Sequence, residues 1–287
     1  LDKALELDPG DDWAWANKGV TLVLMEEYDE ALEALDKAIE LDPNYAWAWA
    51  NKGVTLRLIG KYDEALEALN RAIELDPNQA WVWADKGTTL GWMEKYNEAL
   101  KALNKASELD PNDAWTYSSL GIILSNLEQY EEAVAAFLQA IKLAPDEAWI
   151  YGNLGWSCYL QGKFDLAIEN TQKAIGLDPN DAMLRYNFAL YHLVQEKLEQ
   201  ALTEYEKAMN IAPDLSEITE AITDIFDALS KKPDLTSVHY ALGFLYGAQG
   251  EKEKAREEYE QFIELSTDEG FKEKARQRLE ELEAEAS

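Results

Sequence analysis

The chain is poor in the residues that do most chemistry. It has one cysteine, Cys158, so an intramolecular disulfide is excluded and a cysteine-based metal site has no basis. Only His192 and His239 supply imidazole, and both sit in helical patterns where a core role is expected. Cys158 takes a position held elsewhere by Leu22 and Leu56 and reads as a small buried apolar residue. Cations are scarce: 26 Lys and Arg stand against 56 Asp and Glu, a net charge of −30. Nucleic acid and an anionic membrane surface both require positive charge facing them, so neither is expected as a partner. No apolar run approaches the roughly 18–20 residues of a membrane helix. There is no glycine-rich phosphate loop after a strand, and no calcium-loop spacing among the acidic turns. No catalytic residue, metal ligand or cofactor is expected.

What is present is a period. Pro9, Pro43, Pro77, Pro111, Pro145, Pro179 and Pro213 are spaced by 34 residues, and only Pro233 falls outside the series. Trp13 to Leu22 is identical to Trp47 to Leu56. A fixed period of this length describes stacked supersecondary units, and the 47% hydrophobic content is enough to bury a continuous core along them.

Residues 12–45 show the unit. Trp15, Gly19 and Leu22 mark one face of a first helix, and Trp13, Ala16, Val20 and Leu24 an adjacent one. Apolar residues on two sides indicate a helix packed on two sides. In the second helix Ala31, Leu35, Ala38 and Ile39 form a stripe opposite Glu30, Glu33, Asp36, Lys37 and Glu40. Asp29 reads as the cap of the second helix and Asn44 as the cap of the next first helix. Pro43 stops the preceding one. Gly19, Gly53, Gly87, Gly121, Gly155 and Gly243 share one position, with Ala189 filling it once, and Ala31, Ala65, Ala99, Ala133, Ala167, Ala201 and Ala255 share another. Small residues at fixed phase indicate close helix crossings.

Trp15, Gly19, Leu22, Ala31, Leu35, Ala38 and Pro43 resemble the tetratricopeptide repeat pattern in spacing and type. The resemblance implies an all-α, right-handed superhelical solenoid of antiparallel helix pairs. The expected organisation is the second helix of a truncated preceding repeat over 1–11, six tandem units over 12–215, and an inserted helix over 216–235. A seventh unit over 236–269 and a capping helix over 270–287 follow. Ser216 reads as the cap of the inserted helix, whose stripe is Ile218, Ile222, Ile225, Phe226 and Leu229. This helix either packs in the stack as a first helix that has lost its partner, or it tilts the last repeat or folds into the groove.

In this family the first helices line a concave groove. The resemblance then places Trp13, Trp47, Trp81, Trp115 and Trp149 on that face, with Val54, Ile122, Trp156 and Trp92 further along it. Tryptophan is a frequent interface anchor; the bland alternative is that these rings pack between repeats. Asn17, Asn51, Asn153 and Asn187 form a ladder of amides able to hold a peptide backbone, interrupted by Asp85 and Ser119. The bland alternative there is local bonding. A clamp for a terminal carboxylate does not fit, because the groove positions are mostly apolar and Arg57 is nearly the only cation.

The expected function is a non-catalytic protein-interaction scaffold for a peptide or partner helix, apolar or amphipathic with basic flanks. Two other classes remain open: a self-association or regulatory module of a larger protein, and a substrate-presenting domain of an enzyme encoded outside this stretch. An uncapped apolar N-terminal end would allow homo-oligomers. Cytoplasmic location is the expectation from the lone thiol. Replacing Ala99 by leucine is expected to overpack a crossing by about 1–3 kcal/mol; thermal melting of the variant checks this.

Overall fold

A computed structural model describes residues 2–212 and 215–284. Pro213, the last of the periodic prolines, lies outside the described residues, as do Leu1, Asp214 and 285–287. Every regular element among the described residues is an α-helix. They divide into two compact units, Leu1–Pro145 and Asp146–Ser287.

The first unit opens with α1 (Asp2–Leu7). Four helical hairpins follow: α2 (Asp12–Leu24) with α3 (Tyr28–Leu41), α4 (Ala46–Leu58) with α5 (Tyr62–Leu75), α6 (Ala80–Trp92) with α7 (Tyr96–Leu109), and α8 (Ala114–Asn126) with α9 (Tyr130–Leu143). The second unit contains α10 (Ala148–Leu160) with α11 (Phe164–Leu177), α12 (Ala182–Val194) with α13 (Leu198–Ile211), and a single helix α14 (Leu215–Lys231). It continues with α15 (Ser237–Ala248), α16 (Lys252–Leu265) and α17 (Glu269–Ala284).

Six of the seven described hairpins close over a glycine, and Ala189 takes that place in α12. A Cβ on Gly19 would stand 2.6 Å from Leu35 Cγ and 3.1 Å from the Ala31 carbonyl oxygen. Gly53 meets Leu69, and Gly87 meets Leu103, in the same way. Phe137 fills this space in the fourth hairpin and Tyr259 in the last. Successive hairpins join through alanine-rich contacts: Ala16, Leu35 and Ala38 cluster with Ala48 of the next pair, and Ala50, Leu69 and Ala72 with Val82.

The turns correct three expectations. Asp29 is not a cap, because α3 begins at Tyr28, with Glu27 in the capping position; Asp29 instead places its charge in the first turn, where the helix dipole favours it. Asn44 is not a cap either. The Asp42 side chain accepts from the Asn44 backbone N–H at 2.9 Å, and Tyr45 precedes α4. Side-chain caps come from the next position along, where Asp11, Asp113 and Asp181 accept from the first turns of α2, α8 and α12. Ser216 lies inside α14, which begins one residue earlier.

Within the hairpins, the residue leaving the first helix is left-handed: Glu26 (φ 62°), Glu94 (58°), Glu128 (59°) and Glu196 (61°), against Gly60 (77°), Gly162 (78°) and Gly250 (78°). A glutamate carries a Cβ penalty there that glycine avoids.

In the second unit α14 keeps the period. Ile218 stands 34 residues after Leu184, and both are buried. The helix lies along α12, with Lys232 Nζ donating to the Val194 carbonyl at 3.2 Å. Gln249, at the end of α15, donates to Thr219 Oγ1 at 2.8 Å, so α15 runs back along α14. The chain ends on α17, whose buried residue is Ala275 and whose Phe271 ring sits 5.3 Å from Tyr240.

Two substitutions in the third hairpin should move stability in opposite directions. Gly87→Ala drives a methyl into Leu103 and should lower the melting temperature by several degrees. Glu94→Gly relieves the left-handed turn, by on the order of 1 kcal/mol, and should raise it. Thermal melts of the two variants beside the parent chain read both shifts.

Candidate functional site

The first helices carry two tryptophan ladders with different work. The indole N–H of Trp15 donates to the Pro9 carbonyl at 3.0 Å, that of Trp49 to Pro43 at 3.0 Å, and that of Trp83 to Pro77 at 2.9 Å. Lys18, Lys52 and Lys86 lie over the same rings at 5.3–5.7 Å. This ladder ties α2, α4 and α6 to the turns before them. Arg185 occupies the same position in α12 and donates to the Pro179 carbonyl at 3.1 Å. Sequence reasoning grouped Trp15 with the repeat signature but did not foresee this bond, which needs the turn geometry.

The other ladder is the expected groove set. Trp13 is 60% exposed and Trp115 47%. Trp47 is half-buried against the Ala16, Leu35, Ala38 and Ala48 cluster, with its ring 6.1 Å from Tyr45. Trp81 is half-buried against Ala50, Leu69, Ala72 and Val82. Its indole N–H donates to Gln79 Oε1 at 2.8 Å. These rings therefore pack between repeats on one side and present the other. In the second unit Trp149 is half-buried and donates to Glu147 Oε2 at 2.9 Å, while Trp156 lies 5.2 Å from Tyr159.

The amides are engaged locally where their bonds are seen. Asn17 Nδ2 donates to the Trp13 carbonyl and Asn51 Nδ2 to the Trp47 carbonyl, both at 2.7 Å. Asn153 and Asn187 are half-buried on the corresponding helices of the second unit. Arg57 pairs with Asp85 at 2.8 Å. Burial pushes the Asp85 carboxyl up, Arg57 pulls it down, and the charge of Asp113 adds to the rise.

At the C-terminal ends of the first helices the units differ. Leu24 (82%), Leu58 (45%) and Trp92 (65%) form an exposed apolar ridge in the first unit, with Ile122 (40%) nearby and Val54 half-buried behind it. The matching Val194 is only 4% exposed. There α14 covers the face. Its Ala228 and Lys231 line one small cleft together with Tyr159, Leu160 and Val194. Ile218, Ala221, Ile222, Ile225 and Ala228 form the buried side of this amphipathic helix.

Beneath α14 is a tyrosine cluster. Tyr159 stacks on Tyr191 at 5.1 Å, and Tyr186 lies 6.2 Å from Tyr205. Burial pushes every one of these phenols up, Tyr186 to about 12, with the α14 carboxylates adding to the rise. Asp224 itself is pushed up to about 6, first by burial and then by Glu220 and Asp227, with Lys231 opposing.

The other titratable residues are structural in placement. His239 is buried and its Nδ1 lies 2.8 Å from Glu258 Oε2. His192 is half-buried with its basicity lowered by burial, and the buried Cys158 thiol is pushed up for the same reason. Among the described residues no three His, Cys, Asp or Glu side chains gather to hold a metal ion, and no helix is long and apolar enough to cross a membrane.

Stacked hairpins of this period, closed by small residues and presenting first-helix faces, define a helical-repeat protein of the interaction-scaffold class. Tetratricopeptide repeat family models match residues 13–45 and 46–79, 78–146 and 114–180, 161–216, and 236–269. The chain belongs to the tetratricopeptide repeat family. A search of curated proteins returns no match. Among solved structures it is similar to a chain of the APC/C hetero-tetramer Cut9-Hcn1 (21% identity, TM-score 0.68), covering 74% of this chain and 42% of that one. It therefore spans less than half of that relative's length. It is also similar to PilF of Pseudomonas aeruginosa (20% identity, TM-score 0.61, 74% of this chain and 97% of that one). YrrB, described as a tetratricopeptide repeat protein with an unusual peptide-binding site, is 29% identical, with a TM-score of 0.50 over 64% of this chain and 94% of its own.

Asp224 gives a pH test of the α14 contact. Its proton is held more tightly folded than unfolded, so its contribution to stability is present below about pH 4 and is withdrawn as pH rises through 6. Asp224→Asn should therefore melt above the parent at pH 7, and the gap should close at pH 4. Melting curves of both proteins at the two pH values measure it.

Proposed function

We propose that the chain is a non-catalytic scaffold whose first-helix face in the first unit binds an amphipathic segment of a partner protein, with basic residues flanking the apolar stripe. The observation that carries this reading is the contrast at one repeat position. Leu24, Leu58 and Trp92 stand exposed in the first unit, whereas in the second Val194 is buried and lines a cleft with Leu160 and with Ala228 and Lys231 of α14. The chain's own amphipathic helix thus supplies an example of what this face accepts: an apolar stripe of isoleucine and alanine at helical spacing. The exposed indole of Trp92 is an anchor of the type that dominates interface energetics. The −30 charge favours basic flanks and disfavours acidic ones. YrrB supports a peptide as the class of ligand.

The leading reading is tested by selecting peptides from a displayed library on the parent chain and on a Leu58→Ala/Trp92→Ala variant. Both side chains are exposed, so the variant should fold. Enriched peptides should carry an apolar helical stripe and bind the variant at least tenfold more weakly. Equal binding to both chains would remove the ridge from recognition.

A further inference from the structure

Between the third and fourth hairpins of the first unit lies a cleft of about 750 Å³, walled by Trp81 and Trp115 and edged by Asp76, Asp85, Asp110 and Asp113. Its features are set before any ligand arrives. Gln79 Nε2 donates to Asp76 Oδ2 at 2.8 Å while its Oε1 receives the Trp81 indole N–H, so the ring is held in orientation. Asp110 accepts from the Asn112 backbone N–H at 2.9 Å. Asp113 accepts from the Trp115 and Thr116 backbone N–H groups at 3.2 and 3.1 Å. Asp76 accepts from the Asn78 N–H at 3.1 Å.

These donors are neutral. Only Asp85 has a counter-ion, Arg57. Three carboxylates are therefore fixed in place with their charge uncompensated beside two indole surfaces. They are not gathered closely enough to hold a metal ion. The preceding step of the stack differs: Tyr45 and Asn51 stand where the pair Gln79 and Asp85 stand here, and Gln79 stands where Asp113 does. Asp85 and Asp113 are thus what this step adds, whereas Asp76 and Asp110 hold a position that is also aspartate at Asp8, Asp42 and Asp178.

We propose that this cleft receives one arginine side chain of the bound segment, its guanidinium lying on the indoles and its charge met by Asp76, Asp110 and Asp113. The assignment rests on the partner reading above and names one element of it. A guanidinium fits better than an ammonium because it is planar, stacks on aromatic faces and is weakly hydrated. A lysine would gain the Coulomb attraction without the stacking.

The test uses two acetylated, amidated nine-residue peptides of leucine and serine that differ at the centre, arginine in one and citrulline in the other. Citrulline keeps the shape and removes the charge. Indole N–H signals are followed by NMR and assigned with Trp81→Phe and Trp115→Phe. The arginine peptide should shift the Trp81 and Trp115 signals, with the citrulline peptide at least tenfold weaker. Asp76→Asn/Asp110→Asn/Asp113→Asn keeps an acceptor oxygen at each turn and should weaken the arginine peptide to the same degree. Equal affinity of the two peptides, or full affinity in the triple variant, overturns the assignment. If both peptides shift the Trp92 signal while Trp81 and Trp115 stay still, the cleft assignment falls and the face still binds peptides. If no indole moves with either peptide, both readings fall.

Discussion

The contact on which the rest depends is the seat of one large side chain over one missing one. Leu35 lies where a Cβ on Gly19 would be, and this repeats with Leu69 over Gly53 and Leu103 over Gly87. That exchange lets two helices approach closely enough for Ala31, Ala65 and Ala99 to be wholly buried between them. Dispersion at such short range is what an alanine-rich interface has in place of large buried area. Once the hairpin is closed, its outer alanines form a shallow surface, and the next hairpin fits onto it. The stack is thus a chain of local contacts, each using residues less than about two repeats apart.

The carboxylates are distributed according to the same logic. Many occupy exposed faces of second helices and the turns, and some of these bond to backbone N–H groups or to a lysine three residues away. Such exposed pairs contribute little. Local bonding leaves the net charge intact, so the protein presents a strongly negative surface built from residues whose positions are fixed by turn geometry. Function, on the reading proposed, draws on that field together with the apolar ridge.

Much of the architecture was legible because the period repeats itself. One amphipathic pattern is ambiguous, but the same pattern at Gly19, Gly53, Gly87 and Gly121 leaves few alternatives. The turns were less legible. Asn44 resembles a cap by type, yet Asp42 takes its N–H and moves the capping position to the next residue, a choice decided by backbone angles around Pro43. The left-handed turns were hidden because glutamate fills four of them. The site was half legible. Trp13 and Trp92 were placed on the groove face by the family resemblance, and both are exposed. That Asn17 and Asn51 bond backward within their helices could not be read in this way, since an exposed amide can turn either way. The seat of α14 was open for a different reason: its stripe states that one side is buried, and only tertiary packing says against what.

Arg185 shows how such a stack changes over time. It stands where Trp15, Trp49 and Trp83 stand, and it reaches the same proline carbonyl while also pairing with Glu204 at 3.0 Å. At these four positions the shared element is a donor that reaches the turn, while Tyr117 and Tyr151 keep a ring at the same phase. An aromatic and a guanidinium are then interchangeable anchors, and the position can drift between them in a single hairpin without disturbing the hairpins beyond its neighbours. Diversity between repeats is therefore cheap wherever the demand is for one bond to the turn, and narrow at the glycine crossing, where the one departure among the hairpins is the alanine Ala189.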